Sequence, residues 1–157
     1  MKYLMILILL VCLLLIRCNS ITDSSENNLP TQKTIESDGF EYTLTIAKST
    51  FSLNDTLKIS FQVRNKSSLK KDFKFNNIQQ LGFQLINMFG KTTMFYPSII
   101  SPAFSSFSLL PGEIKILSVF WTFTDYNGKY IGTGLYDLIV YLADKNSPYV
   151  SLKIIVK

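Results

Sequence analysis

Alternating apolar and polar side chains dominate the chain from Phe40 onward. The clearest run lies at residues 56–65, where every second residue is apolar: Leu57, Ile59, Phe61 and Val63 alternate with Lys58, Ser60, Gln62 and Arg64. A period of two places the apolar set on one face of a β-strand. The same pattern predicts further strands at residues 40–46, 73–75, 81–91, 92–96, 114–123, 135–144 and 150–157.

These seven to eight short strands are separated by polar turns, and no segment has the apolar spacing of a helix over a useful length. Turn signals at such intervals are typical of an antiparallel β-sandwich, which is the predicted fold class. A closed β-barrel is the alternative that the same pattern allows. Between residues 97 and 108 the alternation fails. Because Pro97 and Pro102 each remove a backbone donor, we predict a long irregular crossing there.

The Asp-Tyr-Asn-Gly sequence that begins at Asp125 has two interpretations. It resembles the start of a calcium-binding loop, which requires oxygen ligands at fixed steps and a terminal glutamate. The next acidic residue is Asp137, at the wrong spacing. We therefore predict a connection between strands, in which Asp125 and Asn127 cap a turn and Gly128 supplies a positive φ. The glycines at 132–134 are likewise predicted to return the chain to the sheet, since no strand-to-helix junction contains them for phosphate binding.

The first residues form a short apolar leader. Lys2 precedes an uncharged run at residues 3–16, which is shorter than the ~20 residues of a membrane-spanning helix. Cys18 follows, with Leu15 three positions before it, as in a bacterial lipoprotein signal. Arg17 stands where that signal has a small residue. A conventionally cleaved secreted protein and an uncleaved membrane anchor therefore remain as alternatives.

This pattern divides the chain into three parts. Residues 1–17 are predicted to be a signal peptide, residues 18–38 a lipidated Cys18 with a Ser/Asn-rich flexible tether, and residues 39–157 the folded domain. The expected location is the bacterial cell envelope, with the membrane contacted through the N-terminal lipid. A secreted or periplasmic soluble protein is the alternative location.

Composition narrows the function classes. Cys12 and Cys18 are the two cysteines, so the predicted domain has neither a disulfide nor a thiolate metal ligand. Histidine is absent, which excludes Ser-His and Cys-His nucleophiles and histidine-bound zinc. Removal of residues 1–17 lowers the formal net charge from +5 to +3, too small a surplus to indicate nucleic-acid binding. We therefore expect no metal, no cofactor and no nucleic-acid partner.

The remaining charged residues give no catalytic constellation. Asp137 alternates with apolar neighbours and is interpreted as a solvated strand residue, and no pair of carboxylates is placed for acid–base chemistry. A basic cluster surrounds one predicted turn and consists of Lys66, Lys70, Lys71 and Lys74. It is interpreted as a solvated edge, and contact with anionic lipid or glycan is its functional alternative. Trp121 is interpreted as a core anchor.

Four segments, taken in chain order, resemble the intracellular proteinase inhibitor family, also called BsuPI-type domains. They are FQVRNKSSLKKDFKF, FQLINMFGKTTMFY, LLPGEIKILSVFW and NGKYIGTGLYDLIVYL, and they span roughly residues 57–142. The resemblance implies an immunoglobulin-like β-sandwich. The chain departs from the family at TTMFYPSIISPAF, which replaces a Trp-Ser segment, and at Thr133, where the family has proline. No inhibitory residue of the family is carried over to a position in this chain.

We predict from these observations a non-enzymatic binding domain that acts through protein–protein contact, with a proteinase as one class of partner. A scaffold or adhesion module of the cell envelope is the alternative, and a carboxylate-dependent hydrolase is the third. The candidate contact residues lie in the apolar, proline-interrupted crossing: Phe95, Tyr96, Ile99 and Phe104, with Met94, Ile100 and Phe107 in the same segment. The competing interpretation is that this crossing covers an open end of the sandwich and completes its core.

Overall fold

The computed structural model describes residues 29–98, 103–144 and 146–157. The predictions for the leader, for Cys18 and for Ile99 lie outside these residues. The described strands are β1 (Thr31–Ser37), β2 (Phe40–Ile46), β3 (Thr50–Phe51), β4 (Leu57–Asn65), β5 (Lys71–Phe75), β6 (Leu81–Asn87), β7 (Thr92–Tyr96), β8 (Ser105–Leu109), β9 (Ile114–Trp121), β10 (Gly134–Leu142) and β11 (Tyr149–Val156). Over the described ranges, no helix has the length and apolarity needed to cross a bilayer.

Two facing sheets form a sandwich. One has the strand order β1-β2-β4-β9, the other has the order β3-β11-β10-β6-β7, and a separate two-stranded ribbon pairs β5 with β8. Every second residue of β2 and β4, and of most of β6 and β10, is buried between the sheets, and the largest fully buried side chains include Phe61, Phe75, Phe83 and Phe123. The predicted antiparallel β-sandwich is therefore confirmed. The single parallel pairing among the described strands joins β3 to β11.

A tyrosine at the start of β10 gives the sandwich its immunoglobulin-like character. The buried Tyr136 donates its hydroxyl hydrogen to the backbone oxygen of Gly132 at 2.6 Å. Burial raises the pKa of Tyr136 above its ordinary value, so the phenol stays a hydrogen-bond donor across the physiological range. This bond back to the preceding corner is the tyrosine corner of immunoglobulin-like domains, where it marks the F strand. The neighbours of β10, which are β6 and β11, then occupy the positions of the C and G strands.

The boundary between tether and domain differs from the sequence-based expectation. Residues 31–37 were expected within the tether at 18–38, but they form β1 and pair with β2 along their whole length. Asp38 and Gly39 connect the two strands with φ angles of 53° and 80°. Two consecutive residues with positive φ are the requirement of a type I′ hairpin turn, for which Asp-Gly is a preferred sequence. The prediction is therefore wrong for residues 31–38, which belong to the folded domain.

The irregular crossing is also shorter than expected. Its C-terminal part forms β8, which pairs with β5. Phe107 stacks on Phe73 and Phe75 with ring centroids 4.6 and 5.6 Å apart, and Phe73 in turn packs edge-on against Phe40 at 4.9 Å. The prediction of irregular structure through residue 108 is therefore wrong for residues 105–108, which lie in β8. The β5–β8 ribbon packs its aromatic rings against the core.

Candidate functional site

The connection that begins at Asp125 is a hairpin turn. One side-chain oxygen of Asp125 accepts the amides of Asn127 and Lys129 at 2.9 and 3.0 Å, and Gly128 has a φ of 75°. The predicted turn is confirmed, with Asp125 as the capping side chain and Asn127 contributing its backbone amide. Asn87 closes the β6–β7 hairpin in the same way. Within the described ranges, no group of three or more His, Cys, Asp or Glu side chains converges as a metal site.

The structure separates the candidate contact residues of the crossing. Phe95 is half-exposed on the outer face of β7, where its ring packs against Tyr126 at 5.2 Å. Tyr96 points to the opposite face and stacks on the core residue Phe83 at 5.5 Å. Phe104 is 88% exposed at a different place, beside Ser105 and Phe75 of the ribbon. The described candidates therefore do not form one surface, and Tyr96 packs as the competing core interpretation predicts.

The outer strands of the two sheets differ in how their free edges are protected. Exposed strand edges invite pairing with other chains, and proteins shield them with charges, short length or covering groups. The edge strand β1 carries Lys33 and Glu36, and β3 is only two residues long. On β7, the hydroxyl of Tyr126 covers the edge: it accepts a hydrogen bond from the Phe95 amide at 3.2 Å and donates one to the Phe95 carbonyl at 2.9 Å. The edges of β1, β3 and β7 are thus protected, and β9 remains as the candidate edge for pairing with another chain.

Within the described ranges, the outward edge of β9 has a defined set of backbone groups that no other strand pairs with. At the start of the strand, the amide of Asn65 donates to the Glu113 carbonyl at 3.0 Å, and the Gly112 amide donates to the Asn65 carbonyl at 2.8 Å. Because antiparallel pairing alternates, the odd-numbered residues of β9 then face β4. The residues whose amide and carbonyl groups point away from β4 are Ile114, Ile116, Ser118 and Phe120. Among the described strands, β4 is the only hydrogen-bonded neighbour of β9.

The same alternate residues make the outer face of β9 apolar. Ile114, Ile116 and Phe120 are between 46% and 66% exposed on this eight-residue strand. Single exposed apolar side chains are ordinary on protein surfaces, but three of them on one face of an unprotected edge strand mark an interaction site. We call this row, with Ser118, the β9 edge.

A groove of about 300 Å³ runs beside the β9 edge. Its walls are Leu117, Ser118 and Val119 on one side and Tyr96 with the segment at residues 78–81 on the other. The side-chain oxygen of Gln79 in this wall is buried and has no hydrogen-bond donor among the described residues, which is energetically costly.

Two cations flank the β9 edge on the neighbouring strand β4. Lys58 lies opposite Phe120, with its ammonium nitrogen 5.8 Å from the ring centroid, and Arg64 lies opposite Ile114. Cations on both sides of an apolar row favour a partner segment that is apolar in the middle and acidic near its ends.

Three of the other charged candidates form ion pairs within the domain. Of the basic cluster, Lys66 pairs with Glu36, and Lys70 lies 3.3 Å from Asp72. Asp137 forms a cross-strand ion pair with Lys153 at 3.1 Å. Both arrangements agree with the interpretation of these groups as solvated surface charges, since exposed pairs of this kind contribute little to stability or binding.

Trp121 has the predicted role of a core anchor. It is buried, and its indole N–H donates to the Thr124 carbonyl at 2.9 Å. Its ring packs against Phe83 and Phe123 at 5.7 and 4.9 Å. Phe123 is itself fully buried with a φ of 57°, a backbone conformation that costs a bulky residue free energy. This left-handed backbone conformation follows the end of β9, where the rings of Trp121 and Phe123 both enter the core.

Comparisons with known proteins give structural likenesses alone. No protein-family model matches the chain, and no curated protein matches it. A β-glucosidase from Listeria innocua in complex with isofagomine is similar at 14% identity and a TM-score of 0.45, over 82% of this chain and 16% of that one. A CARDB domain from Pyrococcus furiosus in complex with di-metal ions is similar at 13% identity and a TM-score of 0.39, over 83% of this chain and 94% of that one.

A β-glucosidase from Erythrobacter marinus has 15% identity and a TM-score of 0.45, over 82% of this chain and 16% of that one. The chain thus spans less than a fifth of the β-glucosidases that it matches. At these scores the likenesses carry no functional assignment.

Proposed function

We propose that the chain is a non-enzymatic binding domain that holds a protein partner by pairing an extended segment of that partner with the β9 edge. The observation that carries the proposal is the combination of unpaired backbone groups and an apolar outer face on one long outer strand. Strand addition of this kind obtains affinity from main-chain hydrogen bonds and specificity from pockets for alternate side chains.

The groove beside β9 provides such a pocket. In an added strand, successive side chains point alternately to the two faces of the sheet. One set would extend the apolar row of Ile116 and Phe120 on the outer face, and the other set would enter the groove between Leu117 and Tyr96.

The resemblance to BsuPI-type domains supports a proteinase as the partner. A cell-envelope protein that is held without loss of proteolytic activity would instead favour the scaffold or adhesion role. The two outcomes differ in one measurement, the rate at which the captured partner cleaves a peptide substrate with and without this chain.

The leader supports export and lipid anchoring of this binding domain at the cell envelope. We expect the mature chain to begin at Cys18 and to carry the mass of attached acyl groups, because an apolar run ending at a cysteine and followed by a polar segment resembles a lipoprotein signal. Mass spectrometry of the mature N-terminus measures this. An intact Met1, or cleavage at another position, contradicts the anchor without affecting the proposed role of β9.

The substitution Ser118→Pro is expected to weaken partner binding at least about tenfold. Proline removes the Ser118 amide hydrogen and places its ring on the edge that the partner must approach. The pairing with β4 survives, because the amide of Ser118 points away from that strand and edge positions tolerate proline. The binding of extended peptides, selected from a random display library against the purified protein, measures the effect by calorimetry.

The variant Ser118→Ala is the matched control, since it shortens the side chain and keeps the amide. Thermal denaturation of both variants checks that the fold is intact. Selected peptides that bind Ser118→Pro and Ser118→Ala with equal affinity would show that the partner uses another surface.

A further inference from the structure

The outer face of the five-stranded sheet contains a second, separate cavity. It has a volume of about 470 Å³ and is lined by side chains from three strands and the β10–β11 loop: Gln84, Ile139, Tyr141, Asp144, Ser147 and Tyr149. The β9 edge lies on the other sheet. The cavity is therefore distinct from the proposed protein-binding surface.

Two tyrosines form an aromatic wall of this cavity. Tyr141 and Tyr149 are direct cross-strand partners in the β10–β11 pairing, and Tyr149 is 61% exposed. A row of neighbouring aromatic side chains on an outer sheet face gains nothing from the core. Exposure of their apolar area to water is unfavourable, and a ligand that covers the rings removes this area from water.

A glycine sets the position of the first of these rings. Gly82 lies opposite Tyr141 in the pairing of β6 with β10, and a Cβ atom at position 82 would lie 2.6 Å from Cε2 of the tyrosine ring. The ring therefore occupies the space that any side chain at position 82 would take. The Tyr141 ring thus lies against the backbone of Gly82.

Polar groups surround the two rings. The amide nitrogen of Gln84 lies 3.5 Å from the Tyr141 hydroxyl, and the turn that carries Asp144 and Ser147 is closed by a backbone bond of 3.3 Å between them. Amide, carboxylate and hydroxyl groups together supply both donors and acceptors at the rim of the aromatic wall.

We propose that this cavity binds a neutral oligosaccharide. Pyranose rings present C–H groups on their faces and hydroxyl groups around their edges, which match an aromatic wall with a rim of amide, carboxylate and hydroxyl groups. Gln84 is paired across the sheet with Phe95, so a further half-exposed ring lies on the same face at β7, with Gln84 between it and the two tyrosines. Three strand spacings of about 4.8 Å separate β11 from β7, which gives this face a width of about 14 Å and room for several sugar units.

Titration of the purified protein with cellohexaose, xylohexaose, chitohexaose and maltohexaose tests the proposal by calorimetry. We expect at least one of these glycans to bind, and Tyr149→Ala to weaken that binding about tenfold through the loss of one stacking face. Tyr149→Phe keeps the ring and is expected to retain most of the affinity. Gly82→Ala keeps every lining side chain but displaces the Tyr141 ring, and it is expected to weaken binding as well.

Leu135→Ala is the matched control, since Leu135 is exposed on β10 outside the cavity and its loss leaves the wall unchanged. Failure of the unmodified protein to bind any of the four glycans overturns the proposal, as does equal binding by Tyr149→Ala. If Tyr149→Ala instead reduces the binding of peptides selected for the β9 edge, the face is a protein surface and the proposal is likewise wrong. The result for Ser118→Pro is independent of these outcomes.

Discussion

Replacement of Asn65 by alanine is expected to destabilise the fold by about 3 kcal/mol, a loss of roughly 10 °C in the melting temperature. The side chain is completely buried and makes four hydrogen bonds within the domain. Its amide nitrogen donates to the Leu69 and Leu109 carbonyls at 2.8 and 2.9 Å. Its oxygen accepts from the Ser67 amide and hydroxyl at 3.0 and 2.7 Å.

The large effect follows from what alanine leaves behind. Removal of the side chain leaves backbone groups unpaired at a place that water enters poorly, and each buried group of this kind costs about 1–3 kcal/mol. The backbone of Asn65 also holds the turn at residues 110–113 that starts β9. Loss of the side chain therefore loosens the corner that positions the β9 edge.

Urea denaturation measures this change, with Asn76→Ala as the control at an exposed asparagine. An Asn65→Ala variant as stable as Asn76→Ala would show that the corner is held by its backbone bonds alone. We also expect Asn65→Ala to weaken peptide binding to the β9 edge, because the turn that positions the first residue of β9 is loosened.

The alternation of side chains was sufficient to predict the central strands. In β4 the apolar positions are the buried ones, and in β10 the alternate set Tyr136, Leu138, Val140 and Leu142 is buried, since one face of each strand meets the core. The pattern does not predict β1, in which Ile35 is the single apolar residue. It also does not predict β8, whose partner β5 lies far away in sequence. The signal that could have found β1 was its turn, Asp38-Gly39, between two stretches of strand length.

The candidate site was harder to predict because both faces of β9 carry apolar residues. Such a sequence is typical of a strand buried on both sides, whereas the structure leaves Ile116 and Phe120 exposed at an outer position. Which strand lies at an edge is a property of the whole topology and not of local sequence. For the same reason, the strand predicted at residues 92–96 places Phe95 and Tyr96 on opposite faces without showing which of them faces the core.

Protection of backbone amides in β9 tests the central claim most directly, and we expect a large effect. In the free chain, the amides directed away from β4 should exchange with deuterium rapidly: those of Ile114, Ile116, Ser118 and Phe120. The amides of Lys115, Leu117 and Val119 should exchange slowly, because they bond to β4.

Binding of a saturating extended peptide should change the exchange rates of the four outward amides alone. At about a hundred times the dissociation constant, the four outward amides of β9 should slow by about a hundredfold, because exchange then requires release of the added strand. Hydrogen exchange resolved by NMR at single residues measures both sets in one experiment. Slow exchange of the outward amides in the free chain, or unchanged exchange when the peptide is bound, would contradict the proposal that β9 receives the partner.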